Sequence, residues 1–296
     1  MFDFLKKLFS PIIVILDFIT KYFKTIVFLT IMYFLIYSPS DKLNGNGTFE
    51  VANLQKIELF GPILDVSNTM LEIKKAKDDE NIKGVLLVVN SPGGAVAPSI
   101  ELAYAIKELK AIKPVVVYAS GVIASGSYYA SIWSNKIIAN PGSMVGSIGV
   151  IMQGLNAEEL MEKIGISTQT VKAGKYKESG TPTRKWFDYE KEQLQSVIDD
   201  TYNMFITDVA NARKLDVKNY TQFADAKVFT ASQAKKVGLI DEVGTISIAE
   251  KTLAKLSNID DTIWKKEDKF NKFIDKFISE TASKISMSFM SGLKAY

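Results

Sequence analysis

The sequence predicts an α/β fold built on a buried, largely parallel sheet, and three observations carry that prediction. Two apolar runs, GVLLVV (Gly84–Val89) and VVVYA (Val115–Ala119), lack the polar alternation of a half-exposed strand and so fit strands covered on both faces. Each is followed by a turn of small residues, NSPGG (90–94) after the first and VIASGS (122–127) after the second. A stretch of helical length, Pro98 to Ala111, separates them, and strands alternating with helices are the mark of βαβ units.

The remaining elements follow the same logic. LQKIELFGPI is a strand closed by Gly61-Pro62, because proline cannot extend a ladder. Ser67 to Ala76 is a charged helical stretch, and NKIIAN and GVIMQ are further short strands. Phe270, Phe273, Ile274, Phe277, Ile278, Ile285 and Phe289 recur at helical spacing among charged residues, which predicts an amphipathic tail. That tail has three open uses: packing on its own domain, lying on a membrane surface, or touching another copy.

Before the α/β part, residues 1–37 are almost wholly apolar, with Lys6, Lys7, Lys21 and Lys24 as the basic groups. A span from Phe18 to Tyr37 reaches the roughly 20 residues a bilayer needs, and Lys21 and Lys24 can snorkel to the headgroups. Positive charge ahead of the apolar run predicts the N-terminus inside and the rest outside, in a single-pass protein of the cytoplasmic membrane. A cleaved signal peptide ending near Ser38-Pro39-Ser40 is the rival, disfavoured by the proline and the long basic lead-in. The expected organisation is an anchor at 1–40, a Gly/Asn-rich linker at 41–52, a catalytic domain at 53–247 and the tail at 248–296.

Composition narrows the chemistry. The chain of 296 residues has a formal charge of +3, which gives no sign of nucleic-acid binding. It has no cysteine, which excludes disulfides and thiol catalysis, and no histidine, which removes the commonest general base and metal ligand. Acid–base work must fall to Lys, Asp, Glu, Tyr or a terminus. The acidic pairs Asp199-Asp200, Asp241-Glu242 and Asp260-Asp261 fit solvated faces or caps, and their spacing supports no metal site. No metal or cofactor is expected.

Within NSPGG, Pro92 lacks an amide proton and Gly93-Gly94 allow backbone conformations that aim a bare N–H into a cleft, as an oxyanion site requires. Ser125 stands at the end of the next strand, so two neighbouring strand ends each offer a donor and one adds a hydroxyl. Locally, Ser125 reads equally well as a helix N-cap or as a nucleophile. A base for it would have to be a lysine with a lowered pKa, and KAGKYK (172–177) holds three candidates: Lys172, Lys175 and Lys177. Physical reasoning leaves that choice open.

Taken together, NSPGG, ASGSYYAS, GSMVGSIGV, GKYKESGTPTR and ADAKVFTASQAKKVGLIDEVG (224–244) resemble the signal peptide peptidase A (protease IV) family of membrane-anchored serine peptidases. The resemblance runs in order from about Asn53 to Gly244. It implies a Clp protease/crotonase-like fold and a Ser–Lys dyad, which needs no histidine. By position it implies Ser125 as nucleophile, Lys177 as general base, Ser147 as the residue orienting the lysine, and the amides of Gly94 and Gly126 as the oxyanion hole. One position departs, with Ser127 where the family has glycine, which adds a hydroxyl near the substrate wall.

The implied activity is hydrolysis of peptide bonds in released signal peptides and other exported polypeptides, without a cofactor. The implied partners are those peptides, the lipid bilayer and further copies of the chain in a ring-like homo-oligomer. Two rivals share the fold: a hydratase or isomerase of acyl-CoA thioesters, which would need carboxylates at the pocket, and a silent membrane scaffold.

Overall fold

In a computed structural model that describes residues 17–33 and 51–266, the sheet runs β1 (Leu54–Phe60), β2 (Gly84–Ser91), β3 (Val115–Ala124), β4 (Lys136–Ala139) and β7 (Glu242–Val243), each strand parallel to its neighbours. The pattern of β2 explains its sequence. Val85, Leu87 and Val89 enter the larger core, while Leu86 and Val88 enter a smaller one on the opposite face, so no position could be polar. Helices α2 (Ser67–Asp78) and α3 (Val96–Lys110) contribute Ile73, Ala76, Leu102, Ile106 and Leu109 to the larger core. Helix α8 (Ile246–Leu256) closes the smaller one with Ala249 and Leu253.

β3 serves two partners in succession. Val116–Ala119 pairs with β4, and Val122–Ala124 pairs with β5 (Met144–Gly146), on which β6 (Val228–Thr230) lies antiparallel. Between these halves the β2–β3 register jumps from Val89↔Ala119 to Ser91↔Ile123. The Val122 amide, displaced by the bulge, donates to Asn90 Oδ1 at 2.9 Å. Thus Asn90 of NSPGG closes the irregularity that swings the end of β3 towards β5.

Several expectations change. GVIMQ is not a strand: residues 149–153 have no sheet partner. The long helix α6 (Asp188–Arg213) was not expected at all. Apart from Glu190 in the first turn, its buried residues are Phe205, Ile206, Val209 and Ala210 near the far end, while most of residues 191–204 are exposed. Ser247, the expected end of the catalytic domain, falls inside α8. The chain beyond it returns to β1, where Asn53 N donates to Ile263 O and Lys265 N to Leu54 O.

The N-terminal unit is described only over helix α1, residues 17–33. Among the described residues no helix is long and apolar enough to cross a membrane. The expected span from Phe18 to Tyr37 continues past the last described residue of that helix. Most of the expected linker, and the amphipathic tail from Phe270 onward, also lie outside the described residues.

Candidate active site

Ser125 sits between β3 and α4 (Gly126–Ser131) with φ 51° and ψ −124°, a conformation that side chains other than glycine's hydrogen rarely adopt. Its backbone is pinned from both sides: its amide donates to Gly146 O at 2.8 Å, and its carbonyl accepts from Tyr129 N at 2.9 Å. Its side chain does not cap α4, and Oγ has no hydrogen-bond partner among the described residues. The cap interpretation therefore fails, and the turn presents a free hydroxyl.

Two amides converge beside it. Ile63 bridges to the Gly94 turn through Ile63 N→Gly93 O (2.9 Å) and Ala95 N→Ile63 O (2.8 Å), so the Gly94 N–H takes no part in the bridge. Gly126 N is the first amide of α4 and has no intrahelical acceptor. The two are neighbours, since a Cβ placed on Gly126 would lie 3.4 Å from Gly94 N. Side chains are shut out: a Cβ on Gly94 would stand 2.1 Å from Ile63 O, and one on Gly93, at φ 91°, 2.6 Å from Gly126 N.

Ser125, Gly94 and Gly126 line one cleft of about 520 Å³, walled by Val96, Ile100, Tyr129, Ile151, Met204 and Phe205. The Tyr129 hydroxyl donates to the Asp208 carboxylate. Burial of the ring, reinforced by that bond, holds the phenol well above its ordinary pKa, so it stays neutral. The wall formed by Thr201, Met204 and Phe205 was missed because α6 was missed; the closely spaced Phe205, Ile206, Val209 and Ala210 were the available signal.

The lysine stretch forms its own network at the start of α6. Glu178 binds Lys172 at 2.5 Å, and Lys175 lies over the Tyr189 ring at 4.3 Å. Arg184 donates to both oxygens of Glu190 at 2.8 Å, and Glu190 is fully buried. Of the three candidate lysines, only Lys177 has a side chain without an ion pair, hydrogen bond or ring contact among the described residues. It is exposed and outside the cleft wall. Ser147 follows Gly146, whose carbonyl holds Ser125, and its own amide donates to Lys227 O at 2.7 Å. Within one chain, then, Ser125, Gly94 and Gly126 come together, Ser147 flanks the strand that supports them, and Lys177 stands apart.

Arg184, by hydrogen bonding, holds the Glu190 carboxyl down at about 2. A carboxylate with a depressed folded pKa stabilises the fold above its unfolded value of about 4.3, and that contribution is lost as pH falls through the folded value. Amide exchange over residues 172–186 is therefore expected to stay slow from neutral pH to about 4 and to rise steeply only nearer 2. In Glu190→Gln it should already be fast at neutral pH. Loosening of the wild-type segment near pH 6 would contradict this account.

The described residues hold no group of three or more carboxylates placed to bind a metal ion. Residues 107–260 match peptidase family S49. A protein of Methanocaldococcus jannaschii named as a protease is 49% identical over 181 residues, 61% of this chain and 58% of its own length. A protein of Enterococcus faecium named as the signal peptide peptidase SppA is 34% identical over 222 residues, 74% of this chain and 64% of its own. The chain thus spans less than two thirds of the length of either relative. ClpP1 of Listeria monocytogenes superimposes with a TM-score of 0.43 at 16% identity, covering 64% of this chain and 90% of that one.

Proposed function

Because this chain belongs to peptidase family S49, we propose that it hydrolyses peptide bonds through a Ser–Lys dyad, with Ser125 as nucleophile and Lys177 as general base. One observation carries the proposal: a hydroxyl in a strained turn, beside two backbone amides, none of the three with a hydrogen-bond partner among the described residues, in a cleft with apolar walls. In the proposed reaction the Ser125 Oγ attacks the peptide carbonyl while its proton passes to the neutral Lys177 amine. The oxyanion takes hydrogen bonds from Gly94 N and Gly126 N. Collapse breaks the C–N bond, and the lysine returns the proton to the leaving amine. Water, deprotonated by the same lysine, then clears the acyl-serine. Ser147 orients the lysine.

Since Lys177 stands outside the cleft of its own chain, we assign it to the cleft of a neighbouring copy in a homo-oligomer. Supporting this is the apolar surface of residues 151–166: Ile151, which lines the cleft, is 83% and Leu155 80% exposed, and Leu160, Ile164 and Ile166 are exposed beside them in sequence. Burial against another copy would desolvate an amine there, which is how a lysine becomes a base. The proposed substrates are released signal peptides and other exported polypeptides. For the anchor, α1 exposes Phe18, Phe23, Phe28, Leu29 and Ile31 around its circumference, which suits a lipid environment. The proposed location is the outer side of the cytoplasmic membrane.

A fluorophosphonate probe tests the nucleophile, since labelling must vanish in Ser125→Ala. Mixing Ser125→Ala chains with Lys177→Ala chains tests the shared site, and the mixture should recover part of the peptidase activity that neither has alone. An enzyme that is fully active as a monomer would remove the shared-site proposal. Absence of labelling in the wild type would favour an acyl-CoA hydratase or isomerase, or a silent scaffold.

A further inference from the structure

From the sequence, Ser127 adds a hydroxyl near the site; in the structure that hydroxyl lies beneath the cleft and not in its lining. The residue is fully buried and absent from the cleft lining. Its Oγ donates to Ser91 O at 2.7 Å and accepts from Ala124 N at 2.9 Å. Ser91 in turn accepts from Gly93 N on its own Oγ at 3.2 Å. A continuous path therefore joins the two turns, from Gly126-Ser127 through the Ser127 hydroxyl to Ser91, and on through the Ser91 hydroxyl to Gly93-Gly94.

The neighbouring backbone makes that path matter. The β2–β3 ladder breaks its register just before Ser91 and resumes with the single pair Ser91↔Ile123, so little regular pairing holds these strand ends together. The Ala124 amide, one residue before the strained Ser125, has the Ser127 hydroxyl as its acceptor. From this geometry we propose that Ser127 is a positioning residue: its hydroxyl braces the Gly94 turn against the Gly126 turn and so sets the spacing of the two oxyanion donors. The proposal rests on Gly94 N and Gly126 N being the oxyanion hole.

Removing a hydrogen bond between two buried turns costs on the order of tenfold when it displaces a transition-state donor. Ser127→Ala is expected to lower kcat about tenfold with KM changed by less than about twofold, because donors that act on the transition state leave ground-state binding alone. Fluorophosphonate labelling of Ser125 should slow in parallel. Amide exchange over 91–95 and 122–128 should accelerate about tenfold, with residues 84–89 of β2 unaffected.

Ser127→Gly separates bracing from packing. Alanine fills the space with a methyl that can neither donate nor accept. Glycine leaves room for a water, with Ser91 O, Ala124 N and Ala124 O as its partners. Bracing therefore predicts that Ser127→Gly keeps more kcat than Ser127→Ala, although glycine lowers Tm further. A pure packing role predicts the reverse order in kcat. Unchanged exchange in Ser127→Ala would overturn the brace, and faster exchange at unchanged kcat would overturn its catalytic role. A wild-type enzyme that takes no label at Ser125 would overturn the oxyanion reading and the positioning role with it, and is recognised without any Ser127 variant.

Discussion

Lys177→Ala is expected to bring peptidase activity down to the same floor as Ser125→Ala, a loss on the order of 10⁴-fold in kcat, since members of one catalytic unit fail together. The contrast with its neighbours is the sharper part of the result. Lys172 is engaged by Glu178, and Lys175 by the Tyr189 ring, so both side chains are taken up in local surface contacts. Exposed pairs of this kind contribute about 0–1 kcal/mol, so alanine at either position should cost less than about tenfold in rate. Steady-state hydrolysis of one hydrophobic peptide by the four variants decides the matter. Comparable losses at all three lysines would mean that the stretch matters as a whole and that no single amine is the base.

Gly94→Ala should cause the next largest loss, for a steric reason. The added methyl would stand 2.1 Å from Ile63 O and 2.7 Å from Ile63 N, both backbone atoms that cannot rotate away. The turn has to retreat from Ile63, and the Gly94 amide moves with it. Misplacing one oxyanion donor costs about 10²–10³-fold in kcat. The overlap itself should cost about 1–3 kcal/mol of stability, visible as a lower Tm. Gly142→Ala provides the control, because its added Cβ meets nothing closer than Asn140 Oδ1 at 3.5 Å. If Gly94→Ala retains wild-type kcat on a fold of unchanged Tm, this amide is not a catalytic donor.

How legible each part was depends on how local its cause is. β2 and β3 could be read because burial on both faces forces an unbroken apolar run, visible in Gly84–Val89 itself. GVIMQ carries the same local preference, but a strand also needs a partner, and none of the described residues pairs with it. α6 was invisible for the opposite reason. Much of its length meets no core, so its apolar positions are thinly spaced until Phe205. The turns holding Ser125, Gly94 and Gly126 were legible because glycine and proline act within a few residues. Which lysine is free was not, because it depends on where Glu178 and Tyr189 point. Nor was the role of Ser127, whose partner Ser91 lies 36 residues away.

The φ of 51° at Ser125 has a consequence for how this protein can change. Among the common residues, glycine alone is at ease in that backbone state, so the fold would be firmer with glycine than with the serine it carries. With Ser125 as the proposed nucleophile, selection for thermal robustness and selection for turnover pull residue 125 in opposite directions. A lineage released from the need to hydrolyse would be free to drift to glycine there and would gain stability in doing so. A working lineage has to hold the less comfortable residue and recover the cost elsewhere in the sheet.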